Sequence, residues 1–186
     1  MATDAQTDSA SLTLKDGTPV WVRPIRPDDA ERLQAFHARL SPESIYLRWL
    51  SAHPVLSLAE ARALSTVDYA SRMALVATTS PAPDAPLVGV ARYGRVPGQP
   101  DEAEVAVVVE DSYQRRGLGT ALLQRLMWHA RTQGYRYWTA EINVANARMM
   151  KFIQRGGLPI SKKYEGGSWQ VRVEIGAPPS DAAPLA

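Results

Sequence analysis

The stretch Gln114-Arg115-Arg116-Gly117-Leu118-Gly119-Thr120 carries the clearest chemical signal in the chain. It follows a β-rich run from Ala103 to Glu110 and opens an amphipathic run from Arg116 to Gln133. A strand therefore passes into a helix across two glycines. The first turn of a helix has unpaired backbone N–H groups at the positive end of its dipole. Glycines there let a ligand come close to the backbone. The result is an anion site, suited to a pyrophosphate. Arg115 and Arg116 add charge at the same place. The plainer reading is that Gly117 and Gly119 only allow close packing and that both arginines are solvated.

The loop lacks the length and the lysine of a nucleotide-triphosphate P-loop. Gly117-Leu118-Gly119 also lacks the third glycine of a dinucleotide fingerprint, and it lies late in a run of strands. The arrangement resembles the Gln/Arg-x-x-Gly-x-Gly/Ala signature of the GNAT acetyltransferase superfamily. The match is full from Gln114 to Gly119, and Val107-Val108-Val109 and Tyr113 fit before it. A second block, Asn146-x-x-Met149-x-x-Phe152-x-x-x-x-Gly157-Leu158, is similar to the family's downstream acetyl-CoA segment, with Leu158 in place of the usual Phe. The resemblance covers roughly residues 12 to 175.

This resemblance implies acetyl-CoA as co-substrate and no metal. Val107, Val108 and Val109 would pair with the pantetheine arm. Gln114, Arg115, Arg116, Gly117, Leu118, Gly119 and Thr120 would hold the pyrophosphate. Asn146 and Met149 would complete the site, although Asn146 also reads as a plain helix N-cap.

Acetyl transfer to an amine needs the neutral amine. A free lysine, with pKa about 10.4, is neutral in only about one molecule in two thousand at pH 7. A carboxylate near the thioester can take the proton. Glu104 opens the strand of Val107 to Val109, and alternation puts it on one face with Ala106 and Val108. The resemblance implies a general base at this position, in a buried setting that raises its pKa. The plainer reading is a surface strand residue, as expected of Asp101 and Glu102. Glu141, on the next strand, is the second candidate. The tyrosine acid that many GNAT enzymes carry is replaced here by Ile153, so water or another group would protonate the thiolate.

The chain is also similar to the catalytic domain of bacterial Pat-type protein lysine acetyltransferases. The similarity lies in Leu14-Lys15-Asp16-Gly17-Thr18, Arg23-Pro24-Ile25-Arg26-Pro27-Asp28-Asp29-Ala30, Ser41 to Trp49, and Asp68-Tyr69 before Met73 to Ala77. It implies a protein lysine as acceptor, such as one on an acyl-CoA synthetase. The competing readings are a small amine, amino acid or antibiotic as acceptor, and an acyl-CoA sensor without catalysis. Pat-type enzymes often carry a further regulatory domain, for which this length leaves no room. Tyr46, Arg48 and Trp49 read as packing residues of the helical flank, with acceptor contact as the other reading.

The elements that must position these groups are legible. Val20 to Ile25 reads as a strand, and Asp28 or Asp29 as the cap of a helix reaching about Leu40. Ser41-Pro42 and Ser57 start two more helices. Met73 to Thr79, Leu87 to Tyr93 and Ala103 to Glu110 form a meander. Leu118, Leu122, Leu126 and Ala130 share a helix face ended by Gly134. His129 is expected on its outer side. Tyr137 to Ile142, a helix from Asn146 to Gln154, and a hairpin around Glu165-Gly166-Gly167 complete an α/β (α+β) domain with a mostly antiparallel sheet. The domain is expected over residues 11–176, with disordered tails at 1–10 and 177–186.

The chain has 186 residues, enough for one such core. It has no cysteine, so disulfides and a thiol nucleophile are excluded. His37, His53 and His129 show no metal-ligand spacing. The net charge of +2, with scattered basic residues, gives no nucleic-acid footprint. No signal or membrane-spanning pattern is present, so a cytoplasmic monomer or homodimer is expected.

Overall fold

The computed structural model describes residues 10–176. The expected tails lie outside them, except that Ala10 begins the first strand. β1 (Ala10–Thr13) and β2 (Pro19–Pro24) form a hairpin that the sequence did not announce. A short 3-10 turn leads into α1 (Ala30–Ala38), α2 (Pro42–Trp49) and α3 (Leu58–Ser65). β3 (Arg72–Thr78), β4 (Leu87–Arg95) and β5 (Glu102–Val109) make the expected meander. α4 (Leu118–Thr132), β6 (Tyr137–Asn143), α5 (Ala147–Arg155), β7 (Ile160–Glu165) and β8 (Ser168–Glu174) follow.

The eight strands form one sheet in the order β1-β2-β3-β4-β5-β6-β8-β7. Every pairing is antiparallel except β5 with β6. Alternation along the strands builds a core on each face. On one face Leu118, Leu122, Leu126 and Ala130 of α4 pack against Val22, Met73, Leu75, Ala91 and Ala103. On the other, Leu33 and Phe36 of α1, Ile45 of α2 and Ala61 of α3 cover Ala74, Val76 and Val90. Gly89 lets α4 sit down on β4, because a Cβ there would lie 3.1 Å from Leu122 and 3.2 Å from Leu118.

The helix starts follow side-chain capping. Ser41 and Ser57 each accept the N–H three residues on, and Glu60 returns a bond to Ser57 N. Asp29 sits at the start of α1, but its carboxylate makes no cap bond. It is instead fully buried and joined to Arg23 at 2.7 and 2.8 Å, to Arg32 at 2.5 Å and to the backbone N–H of Arg26 at 2.8 Å. α4 begins at Leu118 and not at Arg116. Arg115 and Gly117 have left-handed backbones, with φ of 63° and 95°, and no helix continues through them. His129 does not face outward as expected. It is half-buried, with Nδ1 3.0 Å from the Tyr93 hydroxyl.

Candidate active site

β5 and β6 pair only where Glu102, Ala103 and Glu104 meet Tyr137, Trp138 and Thr139. Beyond that point β6 is held by β8 on its other side, and β5 by β4. The sheet thus opens into a wedge, and Val105 to Val109 present an unpaired strand edge to it. Such an edge is ready to bond an extended arm carrying amide groups. Val107 and Val109 point toward α4 and Val108 toward α1 to α3, so the side chains leave the edge itself clear.

At the wide end of the wedge, the chain turns through Asp111 to Gly117 into α4. Gly117 needs its positive φ. Gly119 does not pack against the protein: a Cβ there would meet only Val109 Cγ2, at an ordinary 3.6 Å. Space above Gly119 and the free amides of the first turn, Leu118 to Thr120, lie where the sequence reading expects an anion. The two arginines are placed differently. Arg115 is exposed. Arg116 binds Asp16 at 2.8 Å and lies over the Tyr113 ring. The β1–β2 turn is clamped to this loop by Lys15 N donating to Arg116 O at 3.0 Å, and the Lys15 stem passes 3.5 Å from where a Gly117 side chain would begin.

Gln114 is a structural hub. Its Nε2 donates to Ser44 Oγ and Val109 O, and its Oε1 accepts from Arg148 Nη1 at 2.7 Å. Asp111 beside it accepts from Ser41 N, Ser41 Oγ and Ser44 Oγ. Burial raises the Asp111 carboxyl, but the bonds from Ser41 and Ser44 outweigh it and hold its pKa below the usual range. Helix α2 is thereby tied to the anion loop on one side of the wedge, and α5 on the other. Asn146 caps α5 by accepting from Met149 N at 3.0 Å, so the plainer reading of Asn146 holds and both residues stand at the wedge's α5 side.

Glu104 lies at the apex, where pairing with β6 ends. It faces the side of α1 to α3, with Ala106 and Val108, as alternation requires. It is exposed, against the buried setting expected. Arg48 on α2 feels its charge: burial lowers the Arg48 pKa and Glu104 raises it. Glu141 is on the same face of β6, two residues beyond Thr139, and is also exposed. Glu102 is not a free surface residue, because Arg172 Nε donates to it at 3.1 Å.

One residue was read from sequence as packing and another was not singled out. Tyr46 is 46% exposed rather than packed, and its hydroxyl stands 3.5 Å from Asn143 Nδ2, reaching from α2 toward β6. Arg92 on β4 lines a cavity beneath α2 together with Arg48. A charged residue alternating with Val90 on an inward strand face was the available signal. Among the described residues no cluster of three or more His, Asp or Glu side chains is placed to hold a metal. No helix there is long and apolar enough to cross a membrane.

A split parallel pair above a glycine-bearing helix start agrees with the comparison of known families: residues 42–157 match the Acetyltransferase (GNAT) family. The chain belongs to this family. This GNAT acetyltransferase is 34% identical to an acetyltransferase of Pseudomonas aeruginosa over 74% of its own chain and 73% of that relative. It is 31% identical to the acetyltransferase Pat of Mycolicibacterium smegmatis over 94% of its chain, but it spans only 50% of that protein's length. The crystal structure of the GNAT domain of S. lividans PAT superposes with a TM-score of 0.79 and 32% identity, covering 89% of this chain and 96% of that one. The activity is acetyl-CoA-dependent acetyl transfer, with the donor as co-substrate.

Proposed function

We propose that this GNAT enzyme acetylates the side-chain amine of a protein lysine, with Glu104 as general base. The observation that carries the base assignment is the position of Glu104 at the apex of the β5–β6 wedge, on the face where α2 leaves an opening. A thioester held along Val107 to Val109 ends beside it. The neutral amine attacks the thioester carbonyl, a C–N bond forms, and the C–S bond breaks. Glu104 removes the amine proton, and the departing CoA thiolate takes a proton from water. Val107 to Val109, the first turn of α4 from Leu118 to Thr120, and the α5 start at Asn146 and Met149 would hold the donor. Gln114 would act by holding that loop in place, Arg116 by fastening the β1–β2 turn to it, and Arg115 by its charge.

The similarity to two Pat proteins supports a protein lysine as acceptor, and the proposed carrier of that lysine is an acyl-CoA synthetase in the cytoplasm. Glu141, on the same face, is the second reading for the base. The deciding test is transfer of labelled acetyl to acyl-CoA synthetases beside a panel of amino acids, polyamines and aminoglycosides. Enzyme-dependent labelling of protein supports the reading. Efficient transfer to a free amine without protein labelling replaces it by a small-amine acetyltransferase, and no transfer to either leaves an acyl-CoA sensor.

A further inference from the structure

We propose that Arg48 and Arg92 form a carboxylate-binding subsite next to Glu104, and that one of the two reactants delivers the carboxylate. The proposal rests on the wedge being the site of transfer, but not on the acceptor being a protein. A cavity of about 40 Å³ lies between the sheet and α1 to α3, lined by both arginines, Trp49, Ala106 and Val108. That is room for more than one water-sized group.

The two guanidiniums reach it from different elements. Arg92 projects from β4 opposite Ala106, the neighbour of Glu104 on the same strand face. Arg48 comes from the last turn of α2 and lies over the Trp49 ring at 4.8 Å. Arg92 commits one Nη2 to Leu64 O at 2.6 Å, at the carbonyl end of α3. Among the described residues neither arginine forms an ion pair. Burial is the main reason Arg92 is lowered to about 10, and the nearby charge of Arg48 lowers it further. Two largely buried cations in one cavity, with no carboxylate within ion-pair distance and only the longer-range charge of Glu104 acting on Arg48, are costly. An anion between them removes both penalties, and guanidinium groups match a planar carboxylate through paired N–H bonds.

The position makes the anion part of a reactant. Ala106 is two residues along β5 from Glu104, about 7 Å. Gly94, paired with Glu104, has no side chain, and nothing lies within 4 Å of where its Cβ would be. A molecule reacting at Glu104 can therefore extend toward the arginines. The carboxylate could belong to the acceptor, as in a lysine bearing its own α-carboxylate, or to a dicarboxylic acyl group on the donor.

Thiol release separates the two sources. The acceptor arm compares Nα-acetyl-lysine with Nα-acetyl-lysinamide. The donor arm compares succinyl-CoA with butyryl-CoA, both by turnover and by calorimetric binding. In the wild-type enzyme one arm should favour the carboxylate in kcat/KM or in affinity by roughly ten- to a hundredfold, the worth of a charged hydrogen bond. Arg48→Met should bring that ratio close to one, and Arg48→Lys should restore part of it. Arg92→Met, checked for folding by thermal melting, should act in the same direction. Ratios near one in both wild-type arms would overturn the subsite, as would a preference that survives both substitutions. Failure of protein labelling with a strong ratio in either arm would reject only the protein-lysine reading.

Discussion

Arg116 places its guanidinium 2.8 Å from Asp16 on the β1–β2 turn and over the ring of Tyr113. The arginine is thus spent on fastening the hairpin to the anion loop. Backbone amides and the bare Cα of Gly119 are then the elements proposed to meet a phosphate. Arg116→Ala is therefore expected to raise the acetyl-CoA KM by less than about fivefold, since a partly exposed pair contributes about 1 kcal/mol or less. Gly119→Asp puts a side chain and a negative charge where the ligand must lie. It should weaken acetyl-CoA binding by roughly a hundredfold or more, about 3 kcal/mol. Its melting temperature should change little, because only Val109 lies near the new Cβ. Calorimetry on both variants orders the two effects. A larger loss for Arg116→Ala would move phosphate recognition to the side chains.

The proposed base makes a sharper kinetic demand. Glu104→Gln should keep acetyl-CoA affinity and lower kcat by roughly 10²–10⁴. Glu141→Gln should cost much less. Reversed sizes of the two effects would transfer the role to Glu141.

Sequence made the wedge legible only in part. The glycines, the valine strand and α4 were readable because each carries a local pattern: a turn, a strand run and a 3.6-residue period. The separation of β5 from β6 was not, since pairing between distant strands leaves no local signature. Glu104 could be put on the right face by alternation. Its exposure could not be read, because that depends on α2 leaving it open. Arg92 was missed for the same reason, as its neighbour Arg48 is distant in the chain. The β1–β2 hairpin is short, and β1 has only four residues, too few for a clear period. His129 was misplaced because Tyr93, on β4, turns a helix-edge position into a half-buried one.

Asp29 is the one buried carboxylate among the described residues. It is fully buried and meets Arg23, Arg32 and the N–H of Arg26. Asp29→Ala would leave the buried Arg23 guanidinium without its partner. The expected loss is about 3–5 kcal/mol, the usual cost of breaking a buried pair from one side. Urea unfolding should show it as a lower midpoint with little change in slope. A loss under about 1 kcal/mol would mean that water reaches Arg23.

His129 sets a mild-acid limit on stability. Burial lowers its pKa below the ordinary value, and its Nδ1 stands 3.0 Å from the Tyr93 hydroxyl. The folded state therefore favours neutral imidazole, whereas the unfolded chain titrates near about 6.5. Above that pH both states are neutral at this position, and the full contribution is present. As pH falls from there toward the lowered folded value, the unfolded chain gains a proton that the folded one refuses, and stability drops. Below the folded pKa both forms are protonated and the slope ends. Melting temperature measured from pH 8 to pH 5 should be flat at first and then decline below about 6.5. His129→Gln keeps a polar group near Tyr93 without a titrating ring, so its decline over this window should be shallower than that of the wild type. Equal slopes in the two proteins would remove His129 as the source, with half-buried His53 and its neighbour Glu60, 3.5 Å away, the next pair to test.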